Sequence, residues 1–340
     1  MAKRASNRTV SLLLGAGSFL VAMAVLVQLL VAPSLVKAPA EIDLVTHSRS
    51  EAQRLNTATG ELEPIQVDLT RTLSTHADAD GKLAGTAFTG VYDDLLSLAV
   101  VGADGELQSV DARGRYIGLK AQSLVVAFDR KSGVGRPGVL GDTYGTTGQT
   151  VKFPFDTQKK TYDYFDQTSM RSWPVSYTRT LEVKGLEVYE FEGTIPQVEL
   201  GQFGALEGTT TLYSNAGRTV LVEPVTGSIV SSTTAPQTSI RFADGTVTPA
   251  LLIESLVPTD ATVTERVDNA KSSKRVALAL DRAPWVLGAL GLLLVALALA
   301  LLRRRRAAAA TNPAESRVVD LTGQVPSPRQ ETPLRRRIGR

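Results

Sequence analysis

VSLLLGAGSFLVAMAVLVQLLVA (residues 10–32) and APWVLGALGLLLVALALALL (residues 283–302) decide how this chain is organised. Neither run holds a charged residue. At about 1.5 Å of rise per residue they make helices of roughly 35 and 30 Å, enough to cross a hydrocarbon core. Lys3, Arg4 and Arg8 precede the first, and Arg303, Arg304, Arg305 and Arg306 follow the second. Positive charge beside a membrane helix marks the cytoplasmic side. The sequence therefore predicts a two-pass plasma-membrane protein: a cytoplasmic head at 1–9, transmembrane helices at 10–32 and 283–302, an extracytoplasmic domain at 33–282 and a disordered basic cytoplasmic tail at 303–340. A cleavable signal peptide competes for the first run, with Ala38-Pro39-Ala40 as the cleavage site. The apolar part of such a peptide spans about 7–15 residues, and this one is longer.

Net charge hides the division. The whole chain is +3, the head carries +3, and the tail sets ten arginines against Glu315, Asp320 and Glu331, so the part between is −7. The basic residues gather in two short segments beside apolar helices, where anionic membrane lipid is the natural partner, and nucleic acid is excluded. The chain has no cysteine, which removes disulfides, thiol nucleophiles and thiolate metal sites. Its stability then rests on an ordinary buried core.

The central part reads as mostly antiparallel β, so the fold class is α+β. Ile65, Val67, Leu69 and Leu73 stand among polar residues at the period of two expected of a half-buried strand. Further strands are expected at 95–101, 116–128, 175–183, 186–191, 209–214, 219–223, 228–234, 238–243 and 246–253. Asp104-Gly105 and Asp244-Gly245 mark hairpins, and Asn215-Ala216-Gly217 and Pro224-Val225-Thr226-Gly227 mark further turns. The polar stretch 41–55 reads as an exposed helix or a connector. A membrane-proximal helix is expected from Thr262, with Glu265 completing a capping box, Val263, Val267 and Ala270 on one face, and a kink or restart at Pro284.

Several motifs resolve into ordinary structure. Gly133-Val134-Gly135-Arg136-Pro137-Gly138 has the G-x-G-x-x-G spacing, but no helix follows to receive a pyrophosphate, so it reads as a loop. Ser34 and Lys37 have the spacing of a Ser/Lys hydrolase without its companion motifs. His76, Asp78, Asp80 and Gly81 resemble the start of a calcium loop, but Ala87 stands where a bidentate Glu is needed. With only His47 and His76 in the chain, no zinc site or Ser-His-Asp triad is expected, and no cofactor or metal is called for.

Ten of the nineteen aromatic residues lie between Tyr144 and Phe191. They serve either as the β core, since aromatics suit strands, or as the wall of a ligand groove in which Tyr162, Tyr164, Phe165, Trp173 and Tyr177 provide apolar faces and polar tips. The same region carries a resemblance. The segments 128–133 (FDRKSG), 153–166 (FPFDTQKKTYDYFD), 185–191 (GLEVYEF) and 223–227 (EPVTG) resemble those of an actinobacterial two-helix membrane-protein family of unknown function, often labelled the porin PorA family. That resemblance covers residues 10–302, supplies no catalytic residues, and extends to mycobacterial polar-growth factors associated with mycolate trafficking.

A channel is not the expectation, because a barrel channel needs lipid-facing apolar strands of about 9–11 residues. The expected function is a double-anchored cell-envelope protein, not an enzyme, whose extracytoplasmic domain binds lipid or glycolipid or assists an envelope lipid transporter or other membrane protein. Two alternatives stand beside it: a structural or signalling adaptor, and a wall-polymer hydrolase using paired carboxylates among Asp129, Asp156, Asp163 and Asp166.

Overall fold

The structure is a computed structural model that describes residues 2–31, 37–38, 42–77, 89–102, 105–108, 120–138, 145–204 and 206–311. Ser34, the 78–81 segment, Asp104 and Tyr144, as well as residues 312–340 of the tail, lie outside the described residues. The chain divides into two compact units, Ala22–Gly288 and Met1–Val21 with Ala289–Arg340.

The first helix, α1, runs from Ala2 to Leu26 and ends in a π-helical turn at Val27–Val31. Among the described residues twelve strands follow: β1 (Ile42–Leu55), β2 (Leu62–Ala77), β3 (Thr89–Val101), β4 (Leu107–Gln108), β5 (Lys120–Asp129), β6 (Tyr162–Asp166), β7 (Arg171–Val183), β8 (Leu186–Gly201), β9 (Thr210–Glu223), β10 (Ser228–Arg241), β11 (Val247–Ile253) and β12 (Val257–Pro258). The last element, α2, runs unbroken from Asp260 to Thr311 and contains Pro284. The membrane-proximal helix and the second apolar helix are thus one helix, and Pro284 does not restart it.

All strand pairs are antiparallel, in the order β4-β3-β2-β1-β11-β10-β9-β8-β7-β6, with β5 on β3 and β12 on β1. The two ends of this series meet. Phe128 in β5 bridges Gly135, Val134 bridges Gln149, and Gln149 bridges Tyr164 in β6. Backbone bonds hold this seam: Gly135 N donates to Gly148 O at 2.8 Å, Gln149 N to Asp163 O at 2.7 Å and Phe165 N to Gln149 O at 2.8 Å. The curved sheet therefore closes on itself through two short segments rather than through full strands. The G-x-G-x-x-G loop supplies part of that seam, as a loop and not as a nucleotide turn.

The structure corrects two expectations. Of the stretch 41–55, residues 42–55 are not a helix or connector but strand β1, paired with β2 from Ile42↔Thr75 to Leu55↔Leu62 without a bulge. Its inward positions include Thr46, Ser48 and Ser50 and its outward ones His47, Arg49 and Glu51, so alternation exists in burial but barely in hydropathy. Asn215-Ala216-Gly217 is not a turn either; it is an irregular point within β9. Asn215 Oδ1 accepts from Gly217 N at 3.3 Å and Ala235 N at 3.1 Å, and its amide meets Thr234 Oγ1, so one side chain satisfies the backbone where register slips.

Elsewhere local chemistry gives the expected elements. The hairpin turn at 224–227 forms around Glu223, a fully buried carboxylate that accepts from Val225 N at 3.1 Å and Thr226 N at 2.8 Å and pairs with Lys274 at 3.2 Å. Phe153-Pro154-Phe155 lies against this turn, with Phe153 N donating to Gly227 O at 2.8 Å and Thr157 N to Pro224 O at 2.8 Å. Two of the segments that carry the family resemblance are therefore one structural clip. The start of α2 lays Val267 and Ala270 on Leu186, Val188 and Val230 of the sheet, the face expected from their spacing. Its cap is Thr259, three residues before the expected one, with Thr262 N donating to Thr259 Oγ1 at 3.4 Å.

Candidate functional site

A cavity of about 550 Å³ lies on the inner face of the curved sheet. Thr46 and Ser48 of β1, Leu69 and Arg71 of β2, Tyr164, Phe165 and Asp166 of β6, Tyr213 and Arg218 of β9, Ser231 and Thr234 of β10, and Arg266 of α2 all line it. The hydroxyl-rich inner positions of β1 and β10 face this space rather than a packed core. That is why polar residues recur at buried positions of these strands.

On one wall stands a buried ionic network. Arg218 Nη2 pairs with Asp166 Oδ2, and both side chains are more than nine-tenths buried. Asp166 Oδ1 also accepts from Ser169 N at 2.7 Å and Ser169 Oγ at 2.9 Å, and Tyr213 OH donates to Oδ2 at 3.3 Å. Trp173 Nε1 donates to Ser169 Oγ at 2.9 Å, so the indole secures the group that secures the carboxylate. Burial works against the Asp166 charge, but Arg218 and the Ser169 donors outweigh it and hold the carboxyl below its usual range. Burial likewise opposes the charge of Arg218, and Asp166 overrides it. Tyr213 is pushed well above a usual phenol by burial and by the Asp166 charge.

Arg266 also lines the cavity; its Nη1 donates to Ile229 O at 3.2 Å and its Nη2 to Thr46 Oγ1 at 2.5 Å. Burial lowers its pKa, and the like charge of Arg71 lowers it further. Guanidinium groups thus converge from several elements on a space whose only lining carboxylate is Asp166, among the described residues.

The five aromatic site residues divide. Tyr164 and Phe165 line the cavity, and Tyr162, Trp173 and Tyr177 do not. Tyr162 and Tyr164 belong to a buried cluster around Phe153 and Phe191, with Tyr177 packed at its side. Phe165 joins Leu73, Leu124 and Phe128 in another, and Trp173 packs on Ile195, Val198 and Tyr213. The four carboxylates weighed for hydrolysis also separate. Asp129 accepts from Ser132 N at 2.8 Å and Arg136 Nη2 at 3.0 Å, Asp156 takes a left-handed backbone, Asp163 is exposed, and Asp166 is the partner of Arg218. Nothing in the sequence singles out Arg218 and Arg266, because only strand register and helix packing bring them to one cavity.

A family model described as Porin PorA matches residues 10–300. The porin PorA of Corynebacterium resistens is 40% identical over 53 residues, which cover 16% of this chain and 13% of that protein. The porin PorA of Corynebacterium amycolatum is 32% identical over 76 residues, 22% of this chain and 18% of that protein. The matched stretches are thus a small part of either relative. These findings overturn the expectation of a domain that binds lipid or glycolipid or assists a lipid transporter, since the family and both relatives carry the name of a porin. The adaptor and wall-hydrolase alternatives gain no support from them.

Proposed function

Since the chain belongs to the Porin PorA family, whose porin name implies a cell-envelope membrane protein, we propose that it forms a path for small polar solutes through an envelope membrane. The observation that carries this reading is the family match itself, which takes in both apolar helices and the whole sheet. Among the described residues two helices are long and apolar enough to cross a membrane, one within residues Arg8–Val31 and one within Asp260–Ala307. The strands lack the outer face of a membrane barrel: exposed positions include His47, Arg49 and Glu51 on β1, Arg179 and Glu182 on β7, and Glu187 and Glu192 on β8. At lipid-facing positions near the bilayer midplane an Arg or Lys costs about 2–4 kcal/mol, and an Asp or Glu somewhat less. The helices are therefore the membrane-crossing part in this reading.

One chain's helix pair has no room for a lumen where Gly17 meets Gly291. A Cβ added at either would lie 2.8 Å from the carbonyl oxygen of the other. A conducting path then lies between helices of several copies, with the sheet domain at 33–282 on the outer side and the basic segments at 1–9 and 303–340 on the cytoplasmic side. Purified full-length protein in planar bilayers should give discrete conductance steps; a preparation that inserts and stays silent overturns the reading. The topology has its own check in intact cells. Cysteines replacing Ser6 and Thr311 should resist an impermeant thiol reagent while one replacing the exposed Ala216 reacts. Labelling at both ends and protection of Ala216→Cys would invert the arrangement.

A further inference from the structure

Arg218 is more than nine-tenths buried, lines the cavity, and has only part of its guanidinium satisfied. Nη2 is paired with Asp166, but Nη1 is buried and has no hydrogen-bond partner among the described residues. A buried donor left unmade costs about 1–3 kcal/mol, more when it is charged. Folding tolerates that cost where an acceptor from outside can occupy the position.

Three other features point to the charge of that acceptor. First, Arg218 and Arg266 line the cavity with Asp166 as its one carboxylate among the described residues, and Asp166 is already engaged by Arg218, Ser169 and Tyr213; Arg54, also on the lining, is paired with Glu63. Second, Arg218 and Arg266 line the same cavity, and the Arg218 guanidinium lies 5.3 Å from the centre of the Tyr164 ring, which lines it too. Third, the hydrogen bonds of Arg266 go to a carbonyl and a hydroxyl, which are neutral acceptors, while Arg71 repels it. A planar guanidinium presents a fork of donors that matches carboxylate and phosphate oxygens. The lining also includes apolar side chains, among them Leu69, Leu98, Ile253 and Leu256.

We infer that the cavity is a binding site for a small organic oxyanion, a carboxylate or phosphate on a compact apolar body, whose oxygen takes the free Nη1 of Arg218 and whose body lies against the leucine and isoleucine side chains of the lining. A cavity of this volume falls in the range of small-molecule sites. The site stands on its own geometry and not on conduction. It is tested without a current, so a silent bilayer and an empty site are separate results.

The test is calorimetric titration of the full-length protein in detergent micelles, with micelle-only blanks, using phenyl phosphate, benzoate and neutral benzyl alcohol. Phenyl phosphate and benzoate should bind and compete for one site, with phenyl phosphate the tighter if its second charge engages Arg266, and benzyl alcohol should bind at least tenfold more weakly. Arg218→Lys should weaken both anions about tenfold or more. Asp166→Asn should strengthen them, because it frees the arginine from its internal competitor. That opposition separates a binding role from a structural one, since loss of a merely structural ion pair would not move affinity in opposite directions. If Arg218→Lys fails to fold, Arg266→Gln serves, with an expected weakening of about tenfold at an unchanged circular dichroism spectrum. Absence of anion binding, equal binding of benzyl alcohol, or affinities that ignore these substitutions would overturn the site. Binding of phenyl phosphate without benzoate would narrow the ligand to phosphate esters, and the reverse would narrow it to carboxylates.

Discussion

Lys152 shows how far a single residue departs from its type. It is buried, its Nζ donates to Lys131 O at 3.2 Å, and it lies 3.7 Å over the Phe155 ring. Burial lowers its pKa to about 7 against the opposing attraction of Asp129. An ammonium whose folded pKa is depressed below its unfolded value of about 10.4 is a penalty on folding while both states are protonated. Between the two values the unfolded chain binds the extra proton, so stability rises with pH. The full chain should therefore gain stability from about pH 7 to about pH 10, by up to a few kcal/mol, because one proton's difference between the two states is worth about 1.4 kcal/mol for each tenfold fall in proton concentration. Lys152→Met should remove that gain, as read by tryptophan-monitored melting at pH 7 and 9.5. Equal slopes in the two proteins would place the titration elsewhere. Nothing in the sequence announces this behaviour, since a lysine in a polar loop is ordinarily solvated. Trp173, a groove candidate from the sequence, does not line the cavity, and its position one hydrogen bond from Ser169, and so two from Asp166, is something only the fold arranges.

Among the elements, those with a local cause are legible. Asp244-Gly245 and Pro224–Gly227 make turns because their backbone bonds close within a few residues and glycine accepts positive φ, which is 87° at Gly245 and 73° at Gly227. Strand β1 escapes a sequence reading because the cavity places threonine and serine at its inward positions, which erases the hydropathy alternation that marks a half-buried strand. Asn215 misleads because turn residues also serve bulges, and only the partner strand distinguishes the two. The seam that closes the sheet is an element of its own, and it depends on Gly148. Its φ is +69°, and a Cβ there would lie 2.6 Å from Asp163 O. Gly148→Ala should cost about 2–4 kcal/mol through backbone strain and collision. Hydrogen exchange should accelerate at the amides of Gly135, Gln149 and Phe165 while the β1–β2 hairpin keeps its protection. Uniform acceleration across the sheet would mean that the seam is not a separable closure.

At the scale of the whole molecule, charge and hydropathy are segregated along the chain, and helix contact is set by two glycines. In the unit containing the apolar helices, Gly17 and Gly291 bring backbones together, the arrangement that lets helices associate in lipid where no hydrophobic force acts between them. Gly17→Leu should lower the melting temperature of the full chain in micelles, as followed by helical ellipticity, at a cost of about 1–3 kcal/mol from overpacking. Gly15→Leu should leave it nearly unchanged, because nothing lies within 4 Å of a Cβ at that position. Similar losses at both positions would remove the glycine contact from the account.

By itself the sequence determined that two apolar helices bracket the chain, the antiparallel β character of the part between them, the turns at 224–227 and 244–245, and the family. Each of these rests on a free energy that is local or additive along the chain: transfer of an uncharged apolar run, the φ a turn demands, or the periodicity of one strand. The tertiary structure alone decided that the sheet closes on itself, that β1 is a strand, and that arginines from β1, β2, β9 and α2 line one cavity around a single carboxylate. Those outcomes depend on register between strands far apart in sequence, where a shift of one residue exchanges the two faces of the sheet. No local preference encodes which arginine then meets Asp166 and which donor is left to an outside acceptor.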